Sequence, residues 1–193
     1  MQRIALTGGV AEGKTTVLQR FQQLGAHTLS SDALVAELTR PGTDLWNRLI
    51  TEFGQTIVQA DGTLWRERLA QIAFGSLAMR RRLNQLMHPA VAQAMVERLA
   101  HAQVPLLIIE VPLLIEVAMQ GLFDGIIVVQ ATPAHQYHRL RARGLSAERA
   151  WQMVRSQLPA RAKMPFADWI IRTHRSLDHT CAQVQRVWRA LNA

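Results

Sequence analysis

Eight residues near the amino terminus, Gly8-Gly9-Val10-Ala11-Glu12-Gly13-Lys14-Thr15, fit the pattern Gly-x-x-x-x-Gly-Lys-[Ser/Thr] without a mismatch. The chemistry such a pattern serves is the capture of a polyphosphate. Backbone N–H groups of the loop converge on an anion, and the positive end of the following helix points at it. Gly8 and Gly13 allow backbone angles and close approaches that a Cβ would block, Lys14 reaches the outer phosphates, and the Thr15 hydroxyl is placed to ligate Mg²⁺. Two carboxylates further along could join this chemistry. Asp32 follows a short strand and opens a helix, where an acid either serves a ligand or simply caps the helix. Glu110 ends the most apolar run of the chain, where it either holds Mg²⁺ or is a surface acid just past a strand.

The chain has 22 basic residues, and only Lys14 and Lys163 are lysine. In a chain that otherwise uses arginine, lysine at position 14 points to a need for a compact ammonium rather than for positive charge alone. The net charge of +8 is uneven. Residues 1–130 carry 11 basic and 11 acidic side chains, whereas residues 131–193 carry 11 basic and 3 acidic ones. Arginines 139, 141, 143, 149, 155 and 161 crowd one stretch of that last third. A basic patch can attract nucleic acid, but single-strand binders interleave aromatics among their cations, and between 139 and 163 there is only Trp151. A small polyphosphate is the favoured ligand.

These residues must be carried by strands and helices, and their pattern is alternating. Arg3 to Thr7 reads as a strand entering the glycine loop, and residues 16–24 read as a helix that stops at Gly25. His27 to Ser30 is a second short strand, and Ser31 opens a helix over 31–38. Residues 39–104 read as a helical insertion with turns at Pro41-Gly42 and Asp61-Gly62. Its helices are expected at 45–53, 66–74 and 77–87, with a break at His88-Pro89 and a further helix from 89 to 103. Pro105 to Glu110 is a central parallel strand, apolar on both faces. Ile126 to Gln130 and Trp169 to Ile171 are two more strands, each followed by a capped helix, at Thr132-Pro133 and at Ser176. Five strands alternating with helices predict an α/β three-layer fold with a parallel sheet.

At 193 residues the chain is expected to be one domain, and 49% hydrophobic with 19% charged residues is the composition of a globular protein. The longest apolar stretch, 104–119, is interrupted by Glu110 and Glu116, so no membrane association is expected. Cys181 has no partner for an internal disulfide, and the start of the chain shows no signal pattern, which together give the expectation of a cytoplasmic protein.

Taken together, the motifs resemble those of the dephospho-coenzyme A kinase family along essentially the whole chain. The resemblance is carried by Leu6-Thr7-Gly8-Gly9, Asp32, Pro41-Gly42, Phe53-Gly54, and Asp61-Gly62-Thr63-Leu64 with Arg66. It continues through Leu86-Met87-His88-Pro89, Val111-Pro112-Leu113-Leu114-Ile115-Glu116, Arg139, Gln157-Leu158-Pro159 and Ala167-Asp168. It implies a P-loop kinase with sheet order 2-3-1-4-5, a core of 1–38, 105–132 and 165–193, a helical substrate-binding insertion at about 39–104, and an arginine-bearing lid at about 133–164. It also implies the reaction, ATP phosphorylating the ribose 3′-hydroxyl of dephospho-coenzyme A with Mg²⁺, in a monomer or small homo-oligomer that binds no nucleic acid. By the same resemblance Asp32, Lys14 and Arg139 are the catalytic residues. Gly8, Gly9, Ala11, Glu12, Gly13, Lys14, Thr15, Thr16, Arg139 and Arg143 surround ATP, with backbone N–H groups of Gly9 through Thr16 on the β-phosphate. Thr7, Asp32, Arg66, His88, Pro112 and Leu113 meet the acceptor. Thr15 and Glu110 stand at the metal, although family members vary at the latter position.

The chain departs from the family pattern at several points. Ala11-Glu12 replaces the usual Gly-Ser, which brings a carboxylate beside the triphosphate, pointing either into the site or away from it. Ser30 replaces the first Asp of Asp-Ala-Asp, the turn after Arg143 is one residue shorter, and Arg172-Thr173-His174-Arg175 stands where the family has a motif that frames adenine. Other readings are a nucleotide kinase of the same fold, a nucleic-acid-stimulated ATPase, and a binding module without turnover.

Overall fold

The computed structural model describes residues 2–193, with Phe74 by its backbone alone. In chain order the elements are β1 (Gln2–Thr7), α1 (Lys14–Gln23), β2 (His27–Ser30), α2 (Ser31–Leu38), α3 (Asp44–Phe53), α4 (Arg66–Gly75) and α5 (Leu77–His101). There follow β3 (Leu106–Glu110), β4 (Gly125–Gln130), α6 (Pro133–Ala142), α7 (Ala147–Ser156), α8 (Ala160–Lys163), β5 (Trp169–Arg172) and α9 (Leu177–Leu191). They divide into two compact units, Met1–Ser30 with Ala102–Ala193, and Ser31–His101. The second unit begins with α2, which packs on α5 and α3.

The first unit is built on a parallel sheet, as the alternation of strands and helices predicts, and its order β2-β3-β1-β4-β5 is the one the family resemblance implies. Central β3 is buried at all five positions, the apolar-on-both-faces pattern of a strand covered by helices on each side. Register places Leu6 of β1 and Ser30 of β2 opposite Glu110 of β3, so the carboxyl ends of these strands share one edge of the sheet. On one face Ile4, Leu6, Ile108, Ile127 and Val129 pack against Val17 and Phe21 of α1 and Val184, Val187 and Leu191 of α9. Their alternates Ala5, Ile109 and Val128 are buried on the other face. Gly125, at the start of β4, is required by packing. A Cβ there would lie 2.8 Å from the Trp169 ring and 3.1 Å from Ile4.

The second unit is helical, around a core of Leu45, Leu49, Phe53, Ile57, Leu64 and Leu69. Thr43 caps α3 by accepting the Trp46 N–H, and Gly54 at φ 80° ends it. The expected break at His88-Pro89 does not occur. One helix, α5, runs through Pro89. An internal proline removes one backbone hydrogen bond and costs about 3 kcal/mol, but packing on both sides of it holds the helix together. Leu83, Leu86, Met87 and Ala90 lie on the core cluster, and Met95 and Leu99 are buried two turns on. Pro89 and Gln85, whose carbonyl loses its donor, both face solvent, where water can replace the missing bond. Among the described residues no helix is long and apolar enough to cross a membrane.

Candidate active site

The glycine loop joins β1 to α1, as its flanks predict, and two of its glycines are dictated by geometry. Gly8 has φ 154°, and a Cβ on it would come within 2.6 Å of the Val129 carbonyl oxygen. Gly13 has φ 91° and lies against the Thr173 side chain, with 3.2 Å from its would-be Cβ to Oγ1. Ala11, in place of the family's glycine, also sits in the left-handed region at φ 55°, a conformation that costs a residue with a Cβ roughly 1–2 kcal/mol.

The loop is braced from outside by side chains distant in sequence. The Val10 N–H donates to Gln157 Oε1 at 2.7 Å, and the Val10 carbonyl accepts from Gln136 Nε2 at 2.8 Å. Arg139 donates to the Ala11 carbonyl at 2.9 Å, to Thr173 Oγ1 at 3.1 Å and to the Thr173 carbonyl at 2.5 Å. The Thr173 hydroxyl in turn donates to the Glu12 carbonyl at 2.6 Å. Arg139, expected as a lid arginine over the phosphates, thus holds the loop's carbonyls. Burial and the neighbouring Arg143 lower its pKa from the ordinary arginine value.

Glu12 turns back under its own loop. Its carboxylate accepts the Gly9 N–H at 2.6 Å, and only 2% of the residue is exposed. The expectation that backbone N–H groups from Gly9 onward face the phosphate is therefore corrected at its first two members, since Gly9 and Val10 donate to Glu12 and Gln157. Burial raises the Glu12 pKa above the usual carboxylate range, against the lowering effects of the Gly9 N–H, Lys14, the Ala131 N–H and Lys163. A carboxyl whose folded pKa is raised contributes stability that is fully present below its unfolded pKa and is lost as pH rises through the folded value. Glu12→Gln, whose amide oxygen can still accept the Gly9 N–H, is expected to remove that loss. Melting temperatures of the variant should exceed those of the wild type at neutral pH and converge with them near pH 4. Parallel melting curves across that range would contradict this account.

Lys14 opens α1, is buried to 9% exposure, donates to the Gly9 carbonyl at 2.9 Å and lies 4.0 Å from the Glu110 carboxylate. Thr15 and Thr16 follow it on the exposed side of the first helical turn. Thr7, expected at the acceptor, is fully buried, and its hydroxyl donates to the Pro112 carbonyl at 3.3 Å. It therefore supports the loop after β3 instead of facing a ligand. Leu113 in that loop is 42% exposed. A cavity of about 230 Å³ lies along the loop and α1, lined by Ala11, Gly13, Thr16, Arg139, Arg143, Thr173, Arg175, Leu177 and Thr180. The hydroxyl of Thr173 is already committed to Glu12 and Arg139, and Arg172 is turned outward with its backbone bonded to Gln183. Of the four residues that replace the family's adenine motif, Thr173 and Arg175 are thus the ones lining this cavity. In the other unit, Asp32 is exposed in the first turn of α2, Arg66 begins α4, and His88 lies exposed within α5.

Sequence could point to Lys14, Asp32 and Arg139, but not to Gln136, Gln157 and Thr173. Each of these acts on loop atoms more than 120 positions away, and although Gln157 stands in Gln-Leu-Pro and Thr173 in the segment that replaces the adenine motif, neither setting pointed to the glycine loop.

A parallel 2-3-1-4-5 sheet whose first strand enters a Gly-Lys-Thr loop, with a buried lysine at the start of the helix, defines a P-loop kinase fold. A family model described as dephospho-CoA kinase matches residues 2–179. A dephospho-CoA kinase of Symbiobacterium thermophilum is 38% identical over 194 residues, covering 98% of this chain and 81% of the relative. One of Leifsonia xyli subsp. xyli is 36% identical over 196 residues, covering 99% of both. A solved structure from Thermus thermophilus is similar at a TM-score of 0.86 and 28% identity, covering 98% of this chain and 96% of that one. The chain belongs to the dephospho-CoA kinase family.

Proposed function

We propose that the protein transfers the γ-phosphoryl group of ATP to the ribose 3′-hydroxyl of dephospho-coenzyme A, releasing ADP and coenzyme A. The observation that carries this is the family relationship over residues 2–179, in a chain that retains the complete Gly-Lys-Thr loop. In the transfer the bond between the γ-phosphorus and the β–γ bridging oxygen breaks as the 3′-oxygen bonds to phosphorus. The transition state is loose and carries its charge on the γ-phosphoryl oxygens, so positioning and electrostatics do most of the work. The Lys14 ammonium neutralises that charge, with the N–H groups at the start of α1 beside it. Asp32 orients the 3′-hydroxyl and accepts its proton as attack proceeds. Arg139, Thr173, Gln136 and Gln157 keep the loop in the shape those donors need, and Arg143 and Arg175 bring further positive charge to the cavity.

The donors near the loop suit Mg²⁺. Thr15 offers an exposed hydroxyl, Glu110 a carboxylate beside Lys14, and among the described residues no cluster of three or more His, Cys, Asp or Glu forms a protein-only cage. Mg²⁺ is commonly held by one or two protein oxygens together with phosphates and water. When bound it would supply charge neutralisation between the β- and γ-phosphates.

The test is ADP release from Mg-ATP with dephospho-coenzyme A, and separately with nucleoside monophosphates and with RNA. Turnover with dephospho-coenzyme A alone is expected. Preference for a nucleoside monophosphate, or stimulation by RNA with steep salt dependence, would overturn the assignment.

A further inference from the structure

The two lysines of this arginine-rich chain are both buried, Lys14 at 9% and Lys163 at 0% exposure, while among the described residues no arginine is buried. Lys14 is accounted for by the phosphate loop. Lys163 is not. It ends α8, and its ammonium donates to the Pro112 carbonyl at 2.8 Å and pairs with the Glu116 carboxylate at 2.8 Å to Oε1 and 3.1 Å to Oε2. The Pro112 carbonyl also accepts the hydroxyl of buried Thr7, from the end of β1. One ammonium therefore ties down both ends of the segment Pro112 to Glu116, and β1 fastens the first of those ends a second time. Within the segment Leu114 is fully buried and Leu113 points outward, 42% exposed.

Burying an ammonium is costly unless it is fully paired, and apolar replacements of buried ion pairs are often no less stable. Stability alone is thus a weak reason for a lysine here. A compact cation with three donors can serve a carbonyl and a carboxylate that approach from different directions, which a planar guanidinium cannot do in the same space. We propose that Lys163 is a positioning residue for the acceptor. It fixes the Pro112–Glu116 segment so that Pro112 and Leu113 present a rigid surface to dephospho-coenzyme A, and it makes α8, which follows the loop-bracing Gln157, part of the acceptor site's support. This rests on the acceptor assignment above.

The experiment measures steady-state kinetics with each substrate varied, together with thermal melting, for the wild type, Glu116→Gln, Lys163→Arg and the double variant Lys163→Met with Glu116→Leu. The double variant removes both members of the Lys163–Glu116 pair and leaves Lys14 facing Glu12, so it is the one expected to fold with a melting temperature near that of the wild type. Its KM for dephospho-coenzyme A is expected to rise about tenfold while KM for ATP stays within about twofold, the pattern of lost ground-state positioning at one substrate. Glu116→Gln should show a smaller rise of the same kind, and Lys163→Arg should not restore the wild-type value. A folded double variant with both KM values unchanged, or with both raised equally, would overturn the proposal. Absence of wild-type turnover with dephospho-coenzyme A would instead overturn the acceptor assignment, so the two failures are distinguishable.

Discussion

Lys14→Ala should reduce kcat/KM for phosphoryl transfer by at least about 10³ while leaving the fold intact. Removing a single preorganised donor from a developing oxyanion costs about 3–4 kcal/mol, and Lys14 brings a full charge rather than a partial one. Its setting strengthens the effect, because the ammonium is nearly buried, and a charge shielded from water acts more strongly on a neighbouring anion than an exposed one. The Gly9 carbonyl that accepts from Lys14 at 2.9 Å holds the side chain along the loop, so little rotamer freedom has to be lost when phosphate arrives. Lys14→Arg is expected to recover little, since the guanidinium is larger and planar where the loop leaves room for a compact head. Turnover, ATP affinity and circular dichroism of the two variants check this. Near-normal turnover in Lys14→Ala would end the reading of the glycine loop as a phosphoryl-transfer site.

What could be read in the sequence was whatever local pattern decides. The five strands, the glycine loop, and the caps at Thr43, Thr132, Ser146 and Ser176 are governed by residues within a few positions of one another, and Thr132 and Ser176 were recognisable on that basis. The parallel order followed from right-handed crossovers, with the family resemblance fixing which strand lies where. At Pro89 local pattern and packing disagree, and packing prevails because the helix faces on either side of the proline are both anchored. The support of the glycine loop was hidden for another reason. Gln136, Gln157 and Thr173 are ordinary polar residues, and nothing in their neighbourhoods announces that they satisfy the Val10 and Glu12 backbone from across the unit. The Glu12 substitution left the direction of the side chain open, and burial with the Gly9 N–H as partner resolves it. Lys163 stood out only by composition, as the second lysine among 22 basic residues, and its partners became visible only when α8 was seen against the loop after β3.

Asp32 separates the two roles that an acid at a helix start can have. It lies in the first turn of α2, exposed, two residues beyond the last residue of β2. As a helix-start acid, its charge would interact with the α2 dipole and contribute roughly 0.3–1 kcal/mol, screened by salt. As the group that takes the proton of the 3′-hydroxyl, it would contribute on the order of 10²–10⁴ in turnover, the usual share of a positioned base. Asn is the replacement that tells these apart. It is nearly isosteric, but it lacks the charge that favours the helix start and cannot accept a proton at neutral pH. Asp32→Asn is therefore expected to melt within a few degrees of the wild type and to bind both substrates, yet to lose kcat by that factor with KM for ATP little changed. Interactions needed only in the transition state lower kcat and kcat/KM together, and that is the kinetic form the loss should take. A variant that loses thermal stability while each folded molecule turns over at the wild-type rate would return Asp32 to the helix, and the proton acceptor would then have to be sought elsewhere.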